Sequence, residues 1–294
     1  IGLVGSEMCI RDRFFTAAVS CETAAVVVCF RGMFRNSSCV EGAYQYASDM
    51  RKRILVTGGA GFIGSHLCER LLADGNEVIA LDNYYSGDKR NVEHLTANPL
   101  FRLVRHDVTF PYFEEVDQIY NLACPSAPAD YMHDPVMTLK TSLIGAVNML
   151  EVARRMGARI LQASSGKVYG KAQVPSIPEQ YRGNVSPVGE RSAYEEGKRA
   201  AESIFTAYHH QYGVDIRIPR LFNVYGPRMP LGNGRVISAF IKSALSGESI
   251  SIRGNGMQTR CFLYIDDAVE ALVRMMNSTG KLSEPVNIGG VDPV

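Results

Sequence analysis

From residue 53 onward, short apolar runs alternate with longer segments whose apolar positions recur at helical spacing, the pattern of a doubly wound α/β sheet. Runs at 54–56, 78–81, 101–106, 118–123, 159–164 and 216–221 predict six strands. Between them the spacing predicts helices over 63–74, closed by Gly75, over 136–156, and over 193–212. A polar loop carrying Pro175, Pro178 and Pro187 leads into the last of these. After Gly226-Pro227-Arg228 the alternation weakens, with a helix over 236–246, short strands near 250–252 and 261–264, a helix over 266–277 and a strand at 286–288. No repeat or low-complexity segment interrupts this order.

Residues 1–49 lack such a pattern, and Met50-Arg51-Lys52-Arg53 directly precedes the first predicted strand. Met50 is therefore read as the natural start and 1–49 as a non-native or disordered extension. The opening IGLVGSEMCIRDR resembles translated adaptor or vector sequence. A membrane signal is the rival reading of the apolar segment 14–30, but Glu22 interrupts it and it falls short of the roughly 20 apolar residues of a spanning helix.

The first strand runs into Thr57-Gly58-Gly59-Ala60-Gly61-Phe62-Ile63-Gly64, which opens the first helix. Glycines at 59, 61 and 64 allow a tight turn, close backbone approach to phosphate and close helix-on-strand packing, while N–H groups at the helix start face an anion. The second strand ends in Asp82, near the spacing expected for an acid that binds an adenosine ribose, and its charge favours NAD over NADP. The expected fold is thus a Rossmann domain over 50–225, with a smaller substrate-binding region over 226–294.

Composition narrows the partners. A chain of 294 residues that is 46% hydrophobic supports a sizeable core, and a net charge of +1 gives nucleic-acid binding no electrostatic support. Anionic ligands must then be held locally. Four of the seven cysteines lie in the first fifty residues and the others are widely spaced, so neither a disulfide framework nor a zinc spacing follows. The six histidines show no metal-ligand spacing, and His209-His210 suits an exposed helix face. No metal is expected.

Tyr194 and Lys198 stand four residues apart and so share one helix face. A cation beside a phenol favours the phenolate, and Tyr194 with a lowered pKa can take a proton from a sugar hydroxyl, while Lys198 can hold a nicotinamide ribose. On a bare surface helix the same spacing is commonplace; the upstream dinucleotide motif gives it weight. Ser164-Ser165 closes the fifth strand, where a hydroxyl can face the same substrate oxygen or simply end a strand. Arg220, Arg228, Arg235, Arg253 and Arg260 are candidates for a diphosphate, with Arg235 and Arg260 favoured because they sit in glycine-bearing or polar loops.

Together, TGGAGFIG, Asp82-Asn83, Asp107-Val108, Asn121-Leu122-Ala123, Val168-Tyr169-Gly170, the Tyr194/Lys198 pair and Asn223 to Arg228 resemble the extended short-chain dehydrogenase/reductase family over 53–294. The segments 123–128 (ACPSAP), 181–198 (YRGNVSPVGERSAYEEGK) and 226–240 (GPRMPLGNGRVISAF) resemble its UDP-glucuronate decarboxylase group. The resemblance implies a cytoplasmic, homodimeric carboxy-lyase that makes UDP-xylose through a 4-keto intermediate, with bound NAD regenerated. By the same matching, Gly58, Gly61, Phe62, Ile63, Gly64, Asp82, Asn83, Asp107, Val108, Leu122, Ala123, Tyr194 and Lys198 bind NAD. Tyr194, Lys198 and Ser165 carry the chemistry, and Lys140, Asn223, Arg235 and Arg260 address the UDP-sugar.

Two departures stand out. The group's Ser-Glu-Val-Tyr-Gly is here Gly166-Lys167-Val168-Tyr169-Gly170, so an ammonium replaces a carboxylate near the reacting end of the sugar, unless Lys167 points outward. The family's C-terminal segment, with an arginine expected near the sugar carboxylate, lies beyond Val294, so the chain is expected to be incomplete. A UDP-sugar 4-epimerase, a nucleotide-sugar 4,6-dehydratase and a non-catalytic NAD- and nucleotide-binding protein remain alternatives.

Overall fold

A computed structural model describes residues 51–291 other than Pro175, Gly232, Asn233, Arg253 and Lys281. The 1–49 extension, the start at Met50 and the candidate Arg253 lie outside the described residues.

Seven strands form one parallel sheet: β1 (Arg53–Thr57), β2 (Glu77–Asp82), β3 (Phe101–Arg105), β4 (Gln118–Asn121), β5 (Arg159–Gln162), β7 (Ile216–Leu221) and β10 (Pro285–Ile288). Their spatial order is β3-β2-β1-β4-β5-β7-β10, and the short β6 (Ser164–Ser165) pairs with β7. The chain therefore runs outward from β1 to β3, then returns to build the other half beginning at β4. That reversal opens a crevice at the carboxyl ends of β1 and β4, the place where such sheets bind ligands.

Strand periodicity explains why the apolar runs are continuous. Ile54 and Val56 face one side and Leu55 the other, and both sides are covered, as a parallel sheet between helices requires. On the first side they meet Leu67 and Leu71 of α1 (Phe62–Ala73) and Leu272 and Met276 of α6 (Ile265–Asn277). On the other, Leu55, Ile79 and Ile119 meet Met149 and Leu150 of α3 (Pro135–Met156) and Phe205 of α4 (Ser192–Tyr212).

The termini of α3 follow local rules. The Asp134 side chain accepts from the Met137 N–H, Pro135 occupies the first turn, and Gly157 at φ 66° ends the helix. By length and composition α3 could cross a membrane, yet half of its apolar stretch is buried within the protein, which marks it as a core helix.

The remaining elements are α2 (Pro128–His133), β8 (Val224–Tyr225), α5 (Val236–Ser246) and β9 (Leu263–Tyr264), with β8 and β9 pairing in parallel. Two expectations need correction. The predicted fifth strand is divided, because residues 164–165 pair with β7 after β5 has ended at Gln162. The predicted strand at 250–252 does not form; Ile250 and Ile252 are exposed and no described strand pairs with them. Strand β10 joins the main sheet beside β7, so the segment after residue 226 both completes that sheet and lines the crevice.

Candidate active site

Three of the glycines after β1, Gly58, Gly59 and Gly64, are each required by a different neighbour. Gly58 has φ +67°, and a Cβ there would lie 3.1 Å from the Ala123 backbone. At Gly59 a Cβ would lie 2.6 Å from that of Ala80, and at Gly64 only 2.1 Å from the Gly58 carbonyl oxygen. Gly61 is the N-cap of α1 and makes no side-chain cap, so the N–H groups of the first turn are left to a ligand. Gly58, Gly61, Phe62, Ile63 and Gly64 all line a cleft with a cavity volume of about 460 Å³. The backbone cradle fits a pyrophosphate.

Beside the glycine loop, Asp82 ends β2 and is buried. Its carboxylate accepts from the N–H groups of Ala60 at 3.0 Å and Tyr84 at 2.8 Å. A Cβ on Gly87 would approach both carboxylate oxygens to 2.8 Å, so that glycine keeps the edge of the acid open. Burial raises the Asp82 pKa against those two hydrogen bonds. Asn83 and Val108 also line the cleft. Asp107 stands behind them: its carboxylate accepts from Asn83 at 3.0 Å and from the Thr109 N–H and hydroxyl. Its observed part is to orient Asn83.

The floor is set by a buried polar chain across three strands. Thr57 donates to Asn121 at 2.7 Å and Asn121 to Gln162 at 2.6 Å, while Thr57 Oγ1 accepts from the N–H groups of Leu122 and Ala123 at 3.1 Å each. Leu122 and Ala123 are thereby fixed beside the glycine loop, and both line the cleft.

At the opposite end, α4 presents Tyr194 and Lys198 on one face, 6% and 4% exposed. The Tyr194 hydroxyl lies near enough to Ser165 for that side chain to favour the phenolate, and its ring stacks on Tyr131 of α2 at 4.8 Å between centroids. The Lys198 ammonium donates to the Ala163 carbonyl at 2.7 Å and lies 5.9 Å from the Tyr194 ring centroid. Tyr194, Lys198 and Ser165 all line the cleft. The expectation that Lys198 lowers the phenol pKa needs correction. Burial pushes Tyr194 up to about 12 and Cys124 adds to this, opposed by the Ser165 hydrogen bond and the charge of Arg235.

The arginine candidates separate by their partners. Arg220 is buried against Glu202 of α4, which also accepts from Ser164, and Arg220 donates to Tyr169 at 2.6 Å. Arg228 pairs with Glu69 and contacts Ser65 on α1. Those two hold the scaffold and are absent from the cleft lining, which corrects their candidacy for phosphate. Arg235 and Arg260 line the cleft; Arg235 donates to Ser126 at 2.8 Å, and burial lowers its pKa. Asn223 lines it too, held at φ 39° while its amide donates to the Cys261 carbonyl at 3.0 Å. Lys140 stands exposed on α3, outside the lining. Lys167 is a half-buried residue of the cleft lining, and its N–H donates to Ser165 at 3.2 Å.

Sequence reasoning missed Tyr131, Cys124 and Arg191, all at the cleft. Pro128 at the start of α2 signals the short helix that carries Tyr131, although six residues are too few for a periodic pattern. Among the described residues no cluster of histidine, cysteine and carboxylate side chains is arranged to hold a metal.

The family model for the NAD dependent epimerase/dehydratase family matches residues 54–289. UDP-glucuronic acid decarboxylase 1 of Xenopus tropicalis is 52% identical over 239 residues, 81% of this chain and 56% of that protein. UDP-glucuronic acid decarboxylase 6 of Arabidopsis thaliana is 54% identical over 238 residues, covering 81% and 69% of the two chains. The chain thus spans little more than half the length of the Xenopus relative. Among solved structures, a dTDP-glucose 4,6-dehydratase from Streptomyces venezuelae with NAD bound superposes with a TM-score of 0.72 at 31% identity, covering 82% of this chain and 77% of that one. Glycine loop, Tyr194 helix and closing strand β10 all fall within the matched span, and the chain belongs to the NAD-dependent epimerase/dehydratase family.

Proposed function

We propose that this protein is a carboxy-lyase that converts UDP-glucuronate to UDP-xylose through a 4-keto sugar, with bound NAD regenerated in each turnover. The observation that carries this reading is that Tyr194, Lys198 and Ser165 line one end of a cleft whose other end is a glycine cradle beside Asp82. The identity to UDP-glucuronic acid decarboxylases supports the choice of substrate.

The residues fit the cofactor. The α1 N-terminus would hold the pyrophosphate and Asp82 an adenosine ribose, and Asn83, Val108, Leu122 and Ala123 also line the cleft. Bound there, NAD supplies oxidation at the sugar C4 and the matching reduction afterwards, so the overall reaction is redox-neutral. Tyr194 takes the proton of the C4 hydroxyl and Ser165 orients that oxygen. Once C4 is a ketone, the C5 carboxylate is β to a carbonyl. The C5–C6 bond then breaks, carbon dioxide leaves, and the electron pair is delocalised onto the C4 oxygen as an enolate beside Ser165 and Tyr194. A proton from water at C5, and return of the Tyr194 proton to the C4 oxygen as the ketone is reduced, would complete UDP-xylose.

Lys167 in the cleft lining favours one second reading, a UDP-sugar 4-epimerase, because an ammonium beside the carboxylate stabilises the charged ground state. The full chain supplied with NAD+ is expected to release carbon dioxide equal to the UDP-glucuronate consumed, without accumulating reduced cofactor. Consumption without carbon dioxide contradicts the lyase and supports the epimerase.

The family reading also makes the protein a homodimer. Val136, Leu139, Leu143 and Ile144 recur at helical spacing on α3 with their side chains exposed, which supports a helix-to-helix interface. Sedimentation at the monomer mass would count against it.

A further inference from the structure

The ring of Tyr194 is faced by a second tyrosine from a different element. Tyr131, on the short α2, is buried and stacks on it with an interplanar angle of 14°. Both side chains belong to residues of the cleft lining. A neighbour lying nearly parallel to an aromatic ring opposes displacement of that ring along its normal. The phenol oxygen is the atom of Tyr194 furthest from the backbone, so a swing of the side chain about χ1 moves it most.

The backbone beneath Tyr131 allows the stack little play. Ala127 is buried, and its carbonyl accepts from the N–H groups of Asp130 at 3.0 Å and Tyr131 at 3.1 Å. Asp134 both ends α2 and caps α3. Its N–H donates to the Asp130 carbonyl at 3.3 Å, and its carboxylate accepts from the Met137 N–H at 2.9 Å. Thus α2 runs into α3 without a free linker. In turn α3 meets α4 closely, since a Cβ on Gly197 would stand 3.0 Å from the Ser142 side chain. Gly197 lies between Tyr194 and Lys198, and the Ser142 hydroxyl is 3.2 Å from the Cys124 sulfur at the cleft. The separation of the two tyrosines is therefore set by the packing of three helices and not by their side chains alone.

We propose that Tyr131 is a positioning residue for the reaction, whose ring, and not its hydroxyl, keeps the Tyr194 oxygen aimed at the sugar C4 hydroxyl. This rests on the assignment of Tyr194 as the group that takes that proton. Proton transfer needs the two oxygens within hydrogen-bond reach, and a misplacement of about 1 Å can cost 10²-fold in rate. Loss of the Tyr131 ring leaves the phenol in place but reduces the share of bound complexes in which its oxygen is within reach.

Steady-state turnover of UDP-glucuronate by the full chain with NAD+ tests the role. Tyr131→Leu and Tyr131→Met, which fill the space without a flat face, are each expected to lower kcat about 10–100-fold with KM within about twofold. Tyr131→Phe keeps the stack and should stay within about threefold of the wild type in both constants. In a Tyr194→Phe background, Tyr131→Leu should lower kcat by no more than about twofold further, because the oxygen it positions is gone. A Tyr131→Phe variant as slow as Tyr131→Leu, a raised KM with kcat unchanged in Tyr131→Leu and Tyr131→Met, or full additivity in the double variant overturns the proposal. Wild-type consumption of UDP-glucuronate without UDP-xylose removes the lyase reading, and the same comparison of kcat still decides the role of Tyr131. If the wild type consumes no substrate, the crystal structure of Tyr131→Leu decides it: the Tyr194 ring is expected to leave its wild-type orientation, and an unmoved ring overturns the proposal.

Discussion

Replacing Tyr194 by phenylalanine is expected to lower kcat by about 10³-fold, within the range that a positioned general base supplies, while NAD and UDP-sugar affinities stay near those of the wild type. The separation arises because the ring and the hydroxyl have different tasks. The ring stacks on Tyr131 at 4.8 Å with an interplanar angle of 14°, and phenylalanine preserves that contact. Only the oxygen near Ser165 is removed. Burial holds the phenol at about 12, so the fraction present as base, and with it kcat/KM of the wild type, rises with pH below that value. The variant has no such group and should lose this limb of the profile. Retention of more than a tenth of the wild-type kcat, or the same rising limb in the variant, would assign the proton to another residue.

Gly64→Ala is expected to damage both the fold and the cofactor site. Its added methyl would stand 2.1 Å from the Gly58 oxygen and 2.9 Å from Gly59 Cα, both backbone atoms that move only if the turn opens. Overpacking of this kind costs about 1–3 kcal/mol, and the opened turn withdraws the α1 N–H groups from the pyrophosphate. Gly61→Ala is the control. Its methyl has only the Gly58 oxygen nearby, at 3.1 Å, and φ of −75° suits any residue, so stability should change by no more than about 0.5 kcal/mol. NAD affinity should still fall, because that methyl occupies the phosphate wall. Thermal melts and NAD titrations of both variants check the distinction. Equal melting temperatures and equal NAD affinities for Gly64→Ala and wild type would contradict the packing account of the loop.

The parts of the molecule legible in the chain were those whose cause is local. The strand at 216–221 and the helix at 236–246 have the boundaries that their apolar runs and flanking glycine imply. The glycine loop was legible because backbone conformation restricts residue type directly. The arginines were not, since a guanidinium takes whichever acid the fold brings to it. Arg220 meets Glu202 across the gap between β7 and α4, and Arg228 meets Glu69 on α1, 159 positions away. Tyr194 shows the same limit in electrostatics. Four-residue spacing from Lys198 suggests a lowered pKa, but nearly complete burial outweighs nearby charge, and Lys198 gives a hydrogen bond to Ala163. The Ile-Ser-Ile alternation at 250–252 was a local strand signal with no pairing strand among the described residues to satisfy it.

Proton NMR of UDP-glucuronate incubated with NAD+ and the full chain, with the anomeric signals followed over time, tests the proposed reaction most directly. Conversion to UDP-xylose is predicted, with loss of the C6 carboxylate and the C4 configuration of the starting sugar restored. UDP-galacturonate as the product, or a substrate left unchanged by protein that binds NAD, would contradict decarboxylation.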